Sequence, residues 1–318
     1  MATTAFPINP VLTAIAMVYS NPAIALIADE VMPRTPTAKK FAWSSYDVGQ
    51  GYSVPQTLVG RKSLPTEVDF TGSLINDEVL DYGLDDIVPN DEVEAFNSTI
   101  KPASGGPIDP LSISAMLTTK LIGLDREIRV AGRVFNAANY PAPNQQTLAG
   151  VTQWSDFVNS NPLDALLAAL DVPVYRPNVL ALGQATFTKL RQHPRVVQAV
   201  FGTAQTGGVV TRDQLAQVLE ISRVVVGAGF VNTARKGQAV NTQRVWGKHA
   251  ALLYIDKEAA MSGQPCWGFT AQWGNKVAGE IAEPKMGMRG SQRVRVGESV
   301  KEVVSAPALG YYFQNAIA

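Results

Sequence analysis

Residues 109–135, DPLSISAMLTTKLIGLDREIRVAGRVF, constrain the fold more than any other stretch. Asp109 is placed to cap a helix and Pro110 to occupy its first turn. Ile113, Met116, Leu117, Leu121, Leu124, Ile128 and Val134 recur at steps of three, four or more that keep them near one face. The pattern predicts a helix of about seven turns, with Asp125 and Arg129 able to pair at i, i+4 on its polar side. A helix of that length with an apolar side needs a body to pack against, because most helical stability comes from tertiary packing.

The chain can supply such a body. It has 318 residues, 46% hydrophobic and 17% charged, enough for a substantial core in two or three compact units. The longest early apolar run, VLTAIAMVYSNPAIALIA, is broken by Tyr19, Ser20, Asn21 and Pro22, and no basic residue precedes Arg34. A secretory signal or membrane span is therefore not expected, and the protein is expected to be made and kept in a cytoplasm. Cys266 is the only cysteine and His193 and His249 the only histidines, which excludes an internal disulfide framework and any multi-thiolate metal site within one chain. Basic and acidic residues balance at 27 each, so strong generic binding to nucleic acid is not expected of the chain as a whole.

A short apolar helix is predicted around Val11–Val18, followed by IADEVMPRTPT, where Pro33 and Pro36 disfavour regular structure. Residues 38–72 have aromatics at strand-like spacing (Phe41, Trp43) and turn signals at Asp47, Gly49 and Gly51, with a second extended run after Gly60. This is a long two-stranded excursion with too little apolar surface for a core of its own, and isolated hairpins of that kind are marginal in water. After NYPAPNQQTLAG the pattern becomes mixed α and β, which marks a boundary near 141–150. Asn161 and Pro162 start a helix, 178–183 is a short buried strand, QATFTKLRQ is a helix stopped by Pro194, and Thr211 caps RDQLAQVLEI. Strands are predicted at RVVVG, 250–256, 266–273 and along QRVRVGES.

VVVGAGF, at 224–230, has the look of a dinucleotide fingerprint: a buried strand running into Gly227 and Gly229, with Asp256 ending the next strand. The helix that should aim its N-terminus at the phosphates is missing. Residues 230–248 are polar, contain Gly237, carry no apolar stripe, and put Asn232 at the third glycine position. A buried strand turning into an exposed polar loop is the better reading, and no cofactor is expected.

Other constellations are equally weak. Neither His193, at a helix stop, nor His249, before a strand, has an acid and hydroxyl in a recognisable arrangement. Asp77, Glu78, Asp81, Asp85, Asp86, Asp91, Glu92 and Glu94 crowd one stretch, but their spacing matches no calcium loop and reads as a solvated or partner-facing surface. Arg293 and Arg295 share one strand face, suited to phosphate, to a neighbour's carboxylates, or simply to the polar side of a half-buried strand. Cys266 reads as a small buried hydrophobe.

What remains is an apolar-rich chain without catalytic apparatus, with an arm, an uncored hairpin and a long amphipathic helix. Such extensions make sense where copies of the same chain supply the missing cores. The chain also resembles the major capsid proteins of tailed bacteriophages, with the Hong Kong 97 phage type of α+β fold. The resemblance runs along nearly the whole length, through NPVLTAIAMVYSNPAIALIADEVMP, KKFAWSSYDVG, YGLDDIVPNDE, REIRVAGRVFNAANY, NVLALGQATFTKLRQHPRV, ISRVVVGAGFVNTARKGQ, RVWGKHAALLYID and CWGFTAQW.

It implies an N-terminal arm at 1–37, an extended loop at 38–75 reaching over a neighbouring subunit, and a peripheral domain at 76–149 with a spine helix at 109–135. An axial domain at 150–285 follows, then C-terminal strands at 286–318 returning to the peripheral domain. Members of the family form hexamers and pentamers of an icosahedral shell enclosing double-stranded DNA, with portal, scaffolding and in some cases decoration proteins as partners. Contact with the packaged DNA is expected to be weak and non-specific, with no membrane involved. The chain starts almost directly in the arm, so scaffolding is expected to be supplied separately or to be absent from this form. Some members join Lys to Asn covalently; Lys62 is a loop lysine, with nothing in the residues to support that chemistry here. Under this reading the basic residues Lys39, Lys40, Arg61 and Lys62 are expected to meet Asp85, Asp86, Asp91 and Glu92 of an adjacent subunit, setting register more than affinity. The alternatives are an encapsulin-like nanocompartment shell and, from a different class, a dinucleotide-dependent oxidoreductase.

Overall fold

The computed structural model describes residues 8–18, 26–46, 52, 54–68, 72–98, 109–202, 207–235, 237–257 and 265–318. Two five-stranded sheets and one helix that runs across both organise it. In chain order, the first half contains α1 (Pro10–Val18), α2 (Ala28–Val31), β1 (Arg34–Pro36), β2 (Lys40–Tyr46), β3 (Gly72–Glu78), β4 (Leu80–Pro89), α3 (Asn90–Ser98), α4 (Pro110–Val134) and β5 (Gln145–Thr147). The second half contains α5 (Pro162–Leu170), β6 (Val179–Gly183), α6 (Gln184–Gln192), α7 (Pro194–Phe201), α8 (Arg212–Val218), β7 (Arg223–Gly227), β8 (Phe230–Asn232), β9 (Thr242–Arg244), β10 (Ala250–Leu253), β11 (Gly268–Gln272), β12 (Val277–Glu283), β13 (Ser291–Val304) and β14 (Gly310–Gln314).

One sheet has the order β5-β14-β10-β6-β7, and both of its faces are buried. Successive residues of a strand point to opposite faces. Leu180 and Leu182 of β6 therefore join Leu166, Phe187, Leu190, Val197 and Leu215 of α5–α8 on one side. Val179 and Ala181 join Ile27, Met32, Val130, Val134, Trp246 and Trp267 on the other. This double burial is why the strands read as unbroken apolar runs in the sequence. Local signals end the covering helices: Asn161 caps α5, and Thr211 and Gln214 form a reciprocal capping box on α8.

The other sheet is centred on the 14-residue β13. Along one edge β13 pairs with β4, from Ser291↔Pro89 to Val300↔Leu80. Along the other it pairs first with β12 and then with β11, and β1 adds in parallel to β11. The β2–β3 hairpin, in register from Lys40↔Glu78 to Tyr46↔Gly72, packs Phe41 and Trp43 against Phe269 and Ala271 of β11 and Val303 of β13.

The long helix forms where the spacing predicts it, and the Asp109 side chain accepts a hydrogen bond from the Ser112 amide. Its buried side is not the expected one. Ile113, Leu117, Leu121 and Ile128 are exposed, while Ser114, Ala115, Thr118, Thr119, Ile122, Arg126, Glu127, Val130, Ala131 and Val134 are buried. Small residues let the helix axis approach the sheets closely, and the Thr118 and Thr119 hydroxyls are satisfied by the carbonyls of Ser114 and Ala115, both at 2.7 Å. At about 1.5 Å per residue the helix is some 37 Å long. It packs Ala115 and Ile122 with β4, β12, β13 and α1, and Val130 and Val134 against the first sheet.

Three other expectations need correction. Pro33 and Pro36 do not keep that stretch irregular, because a proline at the end of a three-residue edge strand removes no ladder bond that β1 needs. Pro194 ends α6 but also begins α7, which the sequence reading did not anticipate. The boundaries at 150 and 285 do not coincide with the sheets: β11 and β12, expected with the 150–285 unit, lie beside β13. From the 286–318 segment, β14 enters the sheet of β6, β7 and β10. The chain crosses between sheets more than once, and an apolar strand carries no mark of which sheet will take it.

Candidate subunit interface

The hairpin and the acidic stretch carry the residues singled out from the sequence. Lys39 bridges Asp81 of its own chain at 3.4 Å and lies over the Trp273 ring. Lys40 stands opposite Glu78 in the hairpin register and makes no ion pair among the described residues. Arg61 and Lys62 sit in a turn closed by the Ser63 amide on the Gly60 carbonyl. They are exposed, make no ion pair among the described residues, and are flanked by apolar side chains as open as Leu64, at 92%. Asp47 and Gly49 lie outside the described residues.

The acidic stretch meets basic residues of its own chain. Asp85 receives both Arg295 nitrogens at 2.7 Å, and Arg293 at 3.1 Å; these hydrogen bonds, led by that from Arg295, hold its carboxyl below the usual range. Asp77 pairs with Lys301, and Ser299 donates to Asp81. Arg289 reaches Asp91 at 3.3 Å and Glu94 at 3.5 Å. Asp86 accepts from the Ile87 amide, and Glu92 is exposed. Within one chain, then, the acids are brought to β13 and to the β12–β13 turn, not to Arg61 and Lys62. The signal was present in the sequence. Asp81 and Asp85 of β4 recur at even spacing, as do Arg293, Arg295, Ser299 and Lys301 of β13, so each set lies on one strand face.

Sequence reasoning missed a second set, buried where the helix crosses the sheets. Glu127 accepts hydrogen bonds from the amides of Ile27 (2.8 Å) and Ala28 (2.9 Å) and from Trp246 Nε1 (2.5 Å). Burial pushes its carboxyl up, and these donors pull the other way. Arg126, 3% exposed, bonds Asp29 at 2.6 Å, the Met32 carbonyl and Thr270 Oγ1. Arg34 bridges Asp29 and the buried Glu298. Together they fasten residues 27–34 to the long helix and to β13.

The segment resembling a nucleotide fingerprint has a packing explanation. A Cβ on Gly227 would lie 2.1 Å from Trp246 Cδ1, and one on Gly183 would lie 1.9 Å from the Trp246 carbonyl oxygen. Trp246 fills the space that a pyrophosphate would need, and the residues after Gly229 pair as the β8–β9 hairpin. His193 is buried, with Nε2 3.1 Å from Ser160 Oγ and no hydrogen-bond partner at Nδ1 among the described residues. His249 Nδ1 accepts from the Asn315 amide, and its ring lies 5.3 Å from that of Phe135. Cys266 is buried, which raises its thiol above the usual value.

Two sheets bridged by one long helix, with a hairpin and exposed apolar side chains outside the main cores, make up the architecture. The architecture is similar to a phage-related protein of Bordetella bronchiseptica RB50, with a TM-score of 0.75 at 21% identity over 98% of both chains. It is also similar to the capsid of cyanophage P-SCSP1u, with a TM-score of 0.59 at 10% identity over 93% of this chain and 90% of that one. No protein-family model matches the chain. The sequence is 45% identical over 319 aligned residues, covering 100% of both chains, to the major capsid protein of Pseudomonas phage JBD67. The chain belongs to the major capsid proteins of tailed phages, with the α+β Hong Kong 97 phage-type fold. It is a structural protein of the virion that forms the shell of the phage head, not an enzyme.

Proposed function

We propose that copies of this chain join as hexamers and pentamers of an icosahedral shell around double-stranded DNA, with portal, scaffolding and, in some heads, decoration proteins as partners. Residues 1–37 serve as the arm and 38–75 as the loop laid over a neighbour. The β13-centred sheet with α4 forms the peripheral domain, and the β6-centred sheet with α5–α8 forms the axial domain. The supporting observation is the apolar surface that one chain leaves uncovered: the loop around Leu58 and Leu64, and the stripe Ile113, Leu117, Leu121 and Ile128. Surfaces of this kind mark association sites.

At the loop contact, Lys40, Arg61 and Lys62 approach Asp86 and Glu92 of the adjacent copy. Lys39, Asp85 and Asp91 share that contact with the own-chain partners they already hold. Negative-stain microscopy and sedimentation of the purified protein test the reading. Closed shells or capsomer-sized rings are expected; a compact monomer at every concentration would overturn it.

A further inference from the structure

The net charge of zero conceals a division. Residues 172–255 hold ten of the 27 basic residues and two of the 27 acidic ones, a net charge of +8, leaving −8 on the remainder. Eleven described acids of the remainder make ion pairs within the chain, among them those of the β4–β13 pairs and of the network around Arg126. The basic part differs. Among its described residues only Arg176 makes ion pairs, at 4.0 Å with Asp171 and 3.9 Å with Glu220.

Part of this unmatched charge is gathered on one face. Arg191 of α6 and Arg212 of α8 flank the Phe187 ring, at 5.3 and 5.7 Å from its centroid. Lys189 lies over Phe157 at 5.6 Å, and Phe157 packs edge-on against His193, two residues before Arg195. Lys189, Arg195 and Arg212 are exposed and Arg191 is half-buried. None of the four makes an ion pair among the described residues; Asp156 accepts from the amides of Val158 and Asn159, and Asp213 lies in the first turn of α8. Apolar rings hold the stems of these side chains, so their charges are presented at little entropic cost.

We infer that the α6–α8 face, through Lys189, Arg191, Arg195 and Arg212, is where this chain contacts the phosphate backbone of packaged DNA. The inference rests on the reading that the shell encloses DNA and assigns that contact to one surface. Sequence-independent contact with phosphates needs unpaired cations, which is what this face offers.

The test uses the full chain and a labelled duplex of about 30 base pairs, titrated between about 50 and 200 mM salt. The variant Lys189→Gln/Arg195→Gln/Arg212→Gln is expected to lower the slope of log K against log salt by about 2.7, at about 0.9 per phosphate contact. A control of equal charge at exposed residues outside the face, Arg133→Gln/Lys257→Gln/Lys285→Gln, is expected to change it by less than about one. If the triple variant melts early, the single Lys189→Gln and Arg212→Gln variants, each expected to lower the slope by about 0.9, carry the test. An unchanged slope, or an equal loss in the control, overturns the assignment. So does a triple variant that still binds the duplex but no longer closes shells, since the face would then be a subunit contact. Shells that form with an unchanged slope leave the capsid reading standing, whereas a wild-type protein that binds the duplex but never assembles refutes that reading alone.

Discussion

Replacing Glu127 separates its hydrogen bonds from its charge. The carboxylate holds three buried donors: Oε1 takes Ile27 N and Trp246 Nε1, and Oε2 takes Ala28 N. A buried donor left without an acceptor costs about 1–3 kcal/mol. Glu127→Ala orphans all three. Allowing for water entering the space and for relief of the buried charge, the expected loss is about 4 kcal/mol. Glu127→Gln keeps one oxygen, which can serve Ile27 and Trp246, but turns an NH₂ toward the Ala28 amide, for a loss of about 1–2 kcal/mol. The global measure is urea unfolding of the unassembled chain. The local one is amide hydrogen exchange at Ile27 and Ala28, where protection should fall first, because these residues start the segment that Glu127 pins. If Glu127→Ala lies within about 1 kcal/mol of wild type, or Glu127→Gln is as damaging as Glu127→Ala, the carboxylate is not the anchor that the geometry indicates.

Two further outcomes follow from neighbouring contacts. Burial pushes the Asp29 carboxyl up, but Arg126 and Arg34 outweigh it and hold the group below its ordinary value. Its folded pKa is depressed, so its stabilisation is whole above the unfolded value of about 4 and is lost as pH falls through the folded one. Asp29 is itself 63% exposed, so after solvent screening Asp29→Asn should cost about 1 kcal/mol at pH 7, and the difference from wild type should close in acid. Denaturant midpoints against pH check this, and a gap that widened on acidification would contradict the sign. Gly227→Ala places a methyl into the Trp246 ring and is expected to destabilise by about 1–3 kcal/mol, with no space for the ring to retreat from β7. A thermal midpoint equal to wild type would mean that the glycine is not required by the tryptophan.

How far the sequence could be read depended on whether a signal was local. Asp109 and Pro110, Asn161 and Pro162, and Thr211 with Gln214 mark helix starts through bonds within a few residues, and these starts were legible. Alternation and apolar runs located β6, β7, β10, β11 and β13 for the same reason. The candidate contact residues were legible as charges but not as pairs: Lys39 and Asp81, or Asp85 and Arg295, become neighbours only when distant strands align. The α4 face was misjudged because periodicity reports which residues share a side, not which side faces the molecule. In a protein that assembles, the more apolar side need not face the core of its own chain.

By itself the sequence determined α1, α4, α5, α6 and α8, about half of the strands, the hairpin and the polar stretch after Gly229 where a nucleotide-binding fold needs a helix, because each rests on short-range geometry or on composition. Tertiary structure alone decided that β14 enters the other sheet from β13 and that Trp246 occupies the room beside Gly183 and Gly227. It also decided that Arg126 and Glu127 are buried to hold residues 27–34. The same is true of the charge balance. The sequence states a total of zero, but which cations find carboxylates and which remain open to a partner depends on long-range packing, since an ion pair forms only between groups that the fold brings within a few ångströms.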